Sequence, residues 1–443
     1  MLSLLRSRSG PTALPLTGQS YWQRLGGANF DTPGATTSCQ LPTHVDFAVI
    51  GGGFAGLSTA LALAEVERDA RILLLESQFL GFGASGRNTG LLGPLPAPLW
   101  LASADQNAEH LWGIQHLNRR VHALSRWLTE DVGDRRVAAT RLRIASQGRL
   151  TATGLERVRR TMTRAGIEHD ASRGHNGHLV VGVDGYTIDP YHTICRLADL
   201  ARQRGIMLAE HTPVRGLGET PAGVEITMLD GRQLVAGRAI VCTNAYTSSL
   251  SLPQAPKGKP VFNFLLVTDP IMPIGSGTGP DEQQFVVELN RDYVFFRMHE
   301  GRIVYGGIER FRPYGRDDFA VPPDVLARLA KCLHRSFPDL RLPVSEVWRG
   351  AYHQTSTDLP QIRRTGARGR IVLNVGYGGT GVAMTMICGR LAAAQARDGR
   401  FVDRDDERLF DAMVATRNPL AALARFSAGV AADLIRYSGP ANA

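Results

Sequence analysis

Lysine is nearly missing from this chain. Only Lys257, Lys259 and Lys331 stand among 50 basic residues, so arginine carries almost all of the formal net charge of +9. A bias of that kind reflects codon composition as readily as function. The densest basic stretch, residues 135–164, has nine arginines but no Phe, Tyr or Trp, so it lacks the stacking partners of single-strand binding and reads as a solvated helical face. Cysteine is scarce too. Cys39, Cys195, Cys242, Cys332 and Cys388 are scattered, odd in number and without a C-x-x-C pair. That pattern argues against a disulfide framework and a zinc site, predicts no metal, and suits a reducing, cytoplasmic compartment. No apolar run approaches the roughly 18 residues that cross a bilayer. Acidic residues are absent from residues 1–30, where Arg6, Arg8 and Arg24 lie among serines, prolines and glycines. A transit peptide has such a composition, whereas a secretory signal needs a longer apolar centre than residues 2–5. The plainer reading is a leader over residues 1–40 that becomes structured near Tyr21 and Trp22. The 443 residues suit two interlocked domains at roughly 100–200 residues each.

Glycine is plentiful, and its placement matters more than its count. The apolar residues 45–50 run directly into Gly51-x-Gly53-x-x-Gly56 and then into an alanine-rich helical stretch beginning Phe54-Ala55. In such a strand–turn–helix unit the first glycine turns tightly, the second lets a pyrophosphate approach bare backbone, and the third brings helix close to strand. Amides at the helix N-terminus then face the phosphates. A second apolar strand, residues 72–75, ends in Glu76, where an acid meets ribose hydroxyls. An acid there, rather than an arginine, disfavours a 2′-phosphate, so FAD or NAD fits better than NADP.

The next segment, Gly81-Phe82-Gly83-Ala84-Ser85-Gly86-Arg87-Asn88-Thr89-Gly90, resembles the loop of the D-amino-acid-oxidase-like FAD oxidoreductases, in particular their γ-glutamylputrescine oxidase branch. The resemblance covers nearly the whole chain after residue 20. It implies an α/β fold, with a Rossmann-like FAD-binding domain of the glutathione-reductase type and an interleaved antiparallel-sheet substrate domain. It also implies that Ala84, Ser85, Arg87 and Asn88 contact the flavin, that Val214 touches the adenine, and that Asn244 lies at a strand end under the cofactor. Residues 293–297 and 301–307 resemble the sheet that roofs the flavin, and Trp348-Arg349-Gly350 with Asp358-Leu359-Pro360 follows in family order. Gly376-x-Gly378-Gly379-Thr380-Gly381-Val382 forms a second glycine loop. It would suggest an NADPH site, but the polar sequence after it holds no second strand ending in an acid. The resemblance instead sets a helix N-terminus at the flavin pyrimidine end.

Two departures concern the substrate. Thr380 stands where the γ-glutamylputrescine oxidase branch has histidine, and Tyr352 stands where amino-acid oxidases have an arginine, so the usual clamp for an α-carboxylate is not visible. Arg297, alone or with Arg302, is the candidate for another anion. Tyr293, Phe296, Tyr352 and Tyr377 are candidate walls, and His353 is a candidate proton acceptor. The expected reaction is oxidation of a C–N bond of a primary or secondary amine to an imine, with oxygen or another electron acceptor reoxidising a non-covalent FAD. The alternatives are an oxidase of N-methyl amino acids or aminophosphonates, a flavin-dependent tRNA-modifying enzyme, and an NAD-dependent dehydrogenase, which conflicts with the 84–90 loop. The expected division is 41–100, 180–255 and 350–400 for the FAD domain, 101–179 and 256–349 for the substrate domain, and 401–443 for a helical tail.

Overall fold

The computed structural model describes residues 18–28, 41–96, 101, 107–174, 177–254, 256–271, 281–289, 292–311, 321–357 and 359–415. Most of the expected leader, Asp358 and the tail beyond residue 415 lie outside these. In chain order the strands are β1 (His44–Ile50), β2 (Ile72–Leu75), β3 (Leu91–Leu92), β4 (Ala138–Ser146), β5 (Asp170–Arg173), β6 (Leu179–Thr187), β7 (Met207–Ala209), β8 (Val214–Glu219), β9 (Val224–Met228), β10 (Gln233–Val241), β11 (Lys259–Thr268), β12 (Gln284–Leu289), β13 (Val294–His299), β14 (Arg302–Phe311), β15 (Val344–Gln354), β16 (Gln361–Thr365) and β17 (Ile371–Val375). The helices are α1 (Tyr21–Leu25), α2 (Phe54–Val66), α3 (Ala108–Glu130), α4 (Arg149–Arg164), α5 (Pro190–Gln203), α6 (Pro323–Ser336), α7 (Gly381–Ala396) and α8 (Arg404–Ala415).

Among the described residues the first sheet runs β16-β17-β10-β1-β2-β7, with β8 and β9 as a meander on β10. Its centre is parallel, and β2 and β17 are buried along their whole length, as strands covered on both faces must be. Helix α2 packs against this sheet and against α7 and is almost uniformly apolar because both sides are covered. A Cβ on Gly389 of α7 would lie 2.7 Å from the Ser58 backbone, so glycine sets how closely the two helices cross.

The second sheet runs β15-β11-β14-β13-β12-β4-β6-β3, with β5 on β6. It is antiparallel except for the β4–β12 pair. One face packs on α6 through Phe264, Tyr305 and Leu329; part of the other is covered by α4 through Leu142 and Leu155. The parallel-sheet domain with an interleaved antiparallel sheet is the expected architecture. The expected boundaries at 180 and 350 fall inside β6 and β15, both strands of the second sheet, and α3 packs toward α7 and α8 as well as against the substrate half, which it meets through Ile114. Patterning marked where apolar segments begin but not where one sheet hands over to the other.

The basic stretch is largely neutralised within the chain. Arg136 pairs with Asp189, Arg141 and Arg143 with Asp170, and Arg159 and Arg160 with Glu156. Among the described residues no helix is long and apolar enough to cross a membrane, and no cluster of His, Cys, Asp or Glu could hold a metal.

Candidate active site

A cavity of about 610 Å³ lies between the carboxyl ends of the parallel strands and one face of the second sheet. Carboxyl ends of parallel strands are where α/β folds bind ligands. Gly51 has φ +111° and, with a Cβ, would meet the Cys242 carbonyl at 2.8 Å; a Cβ on Gly56 would lie 1.8 Å from the Gly51 carbonyl oxygen. The turn and the helix–strand approach therefore both require glycine. Gly56→Ala should give a protein purified without bound FAD, measured as the ratio of visible to 280 nm absorbance.

Gly51, Gly53, Phe54 and Ala55 line the cavity, while Gly56 sits beneath it. The Phe54 amide donates to Ser85 Oγ at 3.0 Å, and the N-terminus of α2 has no side-chain cap of its own. The Ala55 and Gly56 amides, in the first turn, make no bond within the helix. Glu76 reaches the cavity with its carboxylate accepting from the Gly52 amide at 2.7 Å, the Gln78 amide at 2.9 Å and Ser77 Oγ at 3.1 Å. Burial raises its pKa, and those hydrogen bonds pull part of the way back. Its remaining lone pairs can accept ribose hydroxyls. Val214 lines the same end of the cavity.

The 84–90 loop is held from behind. Ala84, Ser85, Arg87 and Asn88 touch the cavity, but the Arg87 guanidinium donates to the carbonyls of Phe82 (2.7 Å), Arg349 (3.3 Å) and Gly18 (2.5 Å). The guanidinium braces the loop, while the residue itself lines the cavity where the flavin contact is expected. The Asn88 amide likewise donates to the Ala84 and Ser85 carbonyls, and its Oδ1 accepts from the Gly90 amide. The N-terminal segment seals the outside: Ser20 Oγ donates to the Gly86 carbonyl, Trp22 Nε1 to that of Asn88, and Gln23 Nε2 to that of Gly81.

At the other end Gly378, Gly379, Thr380, Gly381 and Val382 bring the uncapped N-terminus of α7 to the cavity. Asn244, in the left-handed region at φ +44°, accepts the Gly376 amide on its Oδ1 at 3.1 Å and so holds this loop. Among the described residues α7 is followed by α8 and by no strand, so no second dinucleotide unit is built there.

Of the catalytic candidates, Arg297 and His353 do not line the cavity, and Tyr377 does so through its ring alone. Arg297 is buried away from the cavity, donating to the Ile188 carbonyl at 2.9 Å, pairing with Asp189 at 3.3 Å and stacking over Trp22 at 4.9 Å. Burial lowers its pKa to about 10 against the pull of Asp189. Arg302 points elsewhere too, donating to the Thr268 carbonyl, so neither cation is available to an anionic substrate tail. His353 faces the Lys257 carbonyl (3.1 Å) on the opposite side of β15 from Tyr352, and burial lowers its pKa. The Tyr377 ring lines the cavity, but its hydroxyl donates inward to Asn374, and burial raises its pKa well above the ordinary value. Phe296 packs in the core against Tyr305 and Phe337; Phe295, one residue earlier, faces the cavity.

Tyr352 does face the cavity, and its hydroxyl donates to Glu309, which the sequence reading missed. Between β11 and β14 the register shifts: Phe264 faces Gly307 and Asn263 faces Glu309, leaving Ile308 as an extra residue. Ile308 has φ +59°, costly for a β-branched side chain, and is buried in the core against α6. The bulge sends Ile308 into the core and Glu309 into the cavity. Burial raises the Glu309 pKa, and the Tyr352 hydrogen bond offsets part of that. Beside them Asn263 Oδ1 is buried with no protein partner. Tyr352 was among the sequence candidates; for Asn263 and Glu309 the only sequence signal was a polar residue inside the apolar runs of β11 and β14.

A glycine turn on a parallel sheet, a braced loop and a second helix N-terminus, all facing one cleft, define a dinucleotide-binding protein. The chain belongs to the family described as DAO, FAD dependent oxidoreductase, whose model matches residues 46–395. It is similar to a probable oxidoreductase, OrdL, of Rhizobium meliloti (26% identity over 373 residues, 79% of this chain and 82% of the relative). It is equally similar to the gamma-glutamylputrescine oxidoreductase of Escherichia coli (26% over 393 residues, 84% and 86%). Among solved structures, glycine oxidase from Geobacillus kaustophilus shares the fold with a TM-score of 0.67 at 18% identity, over 82% of this chain and 96% of that one. The protein is thus an FAD-dependent oxidoreductase. The cavity fits that cofactor: the free first-turn amides of α2 face one end, and the N-terminus of α7, which has no side-chain cap, faces the other. Cys242 touches the cavity, and burial pushes its thiol up to about 12.

Proposed function

We propose that the enzyme oxidises a C–N bond of a primary or secondary amine to an imine, which water hydrolyses to an aldehyde and the free amine. The observation that carries this reading is Glu309, a buried carboxyl aimed into the cavity by a strained bulge and held by Tyr352. Bound FAD supplies the two-electron acceptor for the hydride. An ammonium has no lone pair to assist hydride departure, so a proton must first leave the nitrogen. The ionised Glu309 carboxylate takes that proton and becomes a carboxylic acid, leaving a neutral amine. Tyr352 keeps the acceptor oxygen in place, and Asn263 Oδ1 accepts a remaining N–H. Phe295 and Leu265 exclude water beside them. At the cofactor's two ends, Glu76 and the α2 amides would hold the ribose and diphosphate, and the α7 N-terminus would favour negative charge on the reduced ring. Oxygen or another acceptor completes turnover.

Anaerobic mixing of the yellow enzyme with γ-glutamylputrescine, putrescine, sarcosine, D- and L-amino acids, N-methylated aminophosphonates and 2-hydroxy acids tests the reading. Bleaching of the visible flavin band by an amine is the expected result. Bleaching by hydroxy acids alone would refute it.

A further inference from the structure

We infer that the substrate is an amine bearing a hydrocarbon or aryl tail and no carboxylate, its nitrogen at Glu309 and its tail running along the second sheet toward β4. This rests on the amine reading above and names its substrate class.

The cavity face of the sheet changes character strand by strand. Tyr352 on β15, Asn263 on β11 and Glu309 on β14 are polar. The next strands present Phe295 on β13, Val287 on β12 and Ile144 on β4, the last two directly paired. Leu155 and Val158 of α4 line the cavity over them. Three strand spacings separate β14 from β4, a run of about 14 Å, enough for a hexyl to decyl chain. The cations that touch the cavity among the described residues are Arg87, which is committed to three carbonyls, and Arg215, beside Val214 at the nucleotide end. A carboxylate on the tail would be stripped of water beside β12 and β4 with no described cation to pair with there. The half-buried Ile144, Val158 and Val287 instead offer apolar surface that a hydrocarbon tail would cover.

The test is anaerobic stopped-flow reduction of the FAD-loaded enzyme by butylamine, hexylamine, octylamine and benzylamine, against 6-aminohexanoate, sarcosine and γ-glutamylputrescine. The expected result is an apparent Kd that tightens about fourfold per methylene up to octylamine, with 6-aminohexanoate at least about a hundredfold weaker than hexylamine. Val287→Trp and, from the opposite wall, Val158→Trp should flatten the chain-length dependence, with flavin content reporting their folding. Faster reduction by the carboxylated amines would overturn the tail assignment and leave the amine reading standing. Absence of reduction by every amine would overturn both.

Discussion

Glu309→Gln should lower kcat/KM for the best amine by about 10²–10³-fold, in the range of lost general-base catalysis, with FAD content unchanged. The pH profile is the sharper readout. Burial raises the Glu309 pKa above its ordinary 4.5, with the Tyr352 hydrogen bond opposing. The ionised form is the proton acceptor, so wild-type kcat/KM should climb as pH rises through that elevated pKa. The glutamine variant, unable to ionise, should lose this acid limb, and Glu309→Asp should restore it at reduced rate. A variant that keeps both the rate and the limb would remove Glu309 from the mechanism.

Arg297→Ala should destabilise the protein by about 3–5 kcal/mol while leaving KM close to wild type, because it breaks a buried pair and leaves Asp189 with fewer partners. Asp189 also meets Arg136 at 2.7 Å and His299 at 3.0 Å. Burial pushes its pKa up, but His299, Arg136 and Arg297 outweigh that and hold it at about 2. Its folded value lies below the ordinary 3.8, so its contribution is full above that value and fades as pH falls toward 2. Denaturant midpoints at neutral pH and at pH 3 should therefore differ less in Arg297→Ala than in wild type. A raised KM with an unchanged midpoint would return Arg297 to the substrate.

The cofactor end was legible because its chemistry is local. Gly51, Gly53, Gly56 and Glu76 lie within one strand–turn–helix–strand unit, and their spacing alone demands the geometry observed. The substrate end was not, because it depends on which face a strand residue takes. Period-two alternation from Tyr305 would put Ile308 in the cavity and Glu309 in the core; one extra residue in β14 exchanges them. The same alternation carried Phe296 and His353 to the far side of their strands from Phe295 and Tyr352. Arginine misled for another reason. Arg87 is expected at the flavin and Arg297 at an anion, yet the partners of their guanidinium groups are carbonyls and an acid, most of them far off in sequence, which no local pattern displays.

The seal behind the flavin loop bears on the order in which the chain becomes an enzyme. Gly18, Ser20 and Trp22 leave the ribosome early but bond residues 86–88, and the last of the three carbonyls around Arg87 comes from Arg349, with Trp348 Nε1 donating to the Arg87 carbonyl at 2.8 Å. Contacts so far apart in sequence form slowly, because the intervening loop must close before they stabilise anything. Because residues from Gly18 to Arg349 must all be in place before this loop is closed, FAD retention in a purified variant should report on the folding of that whole span.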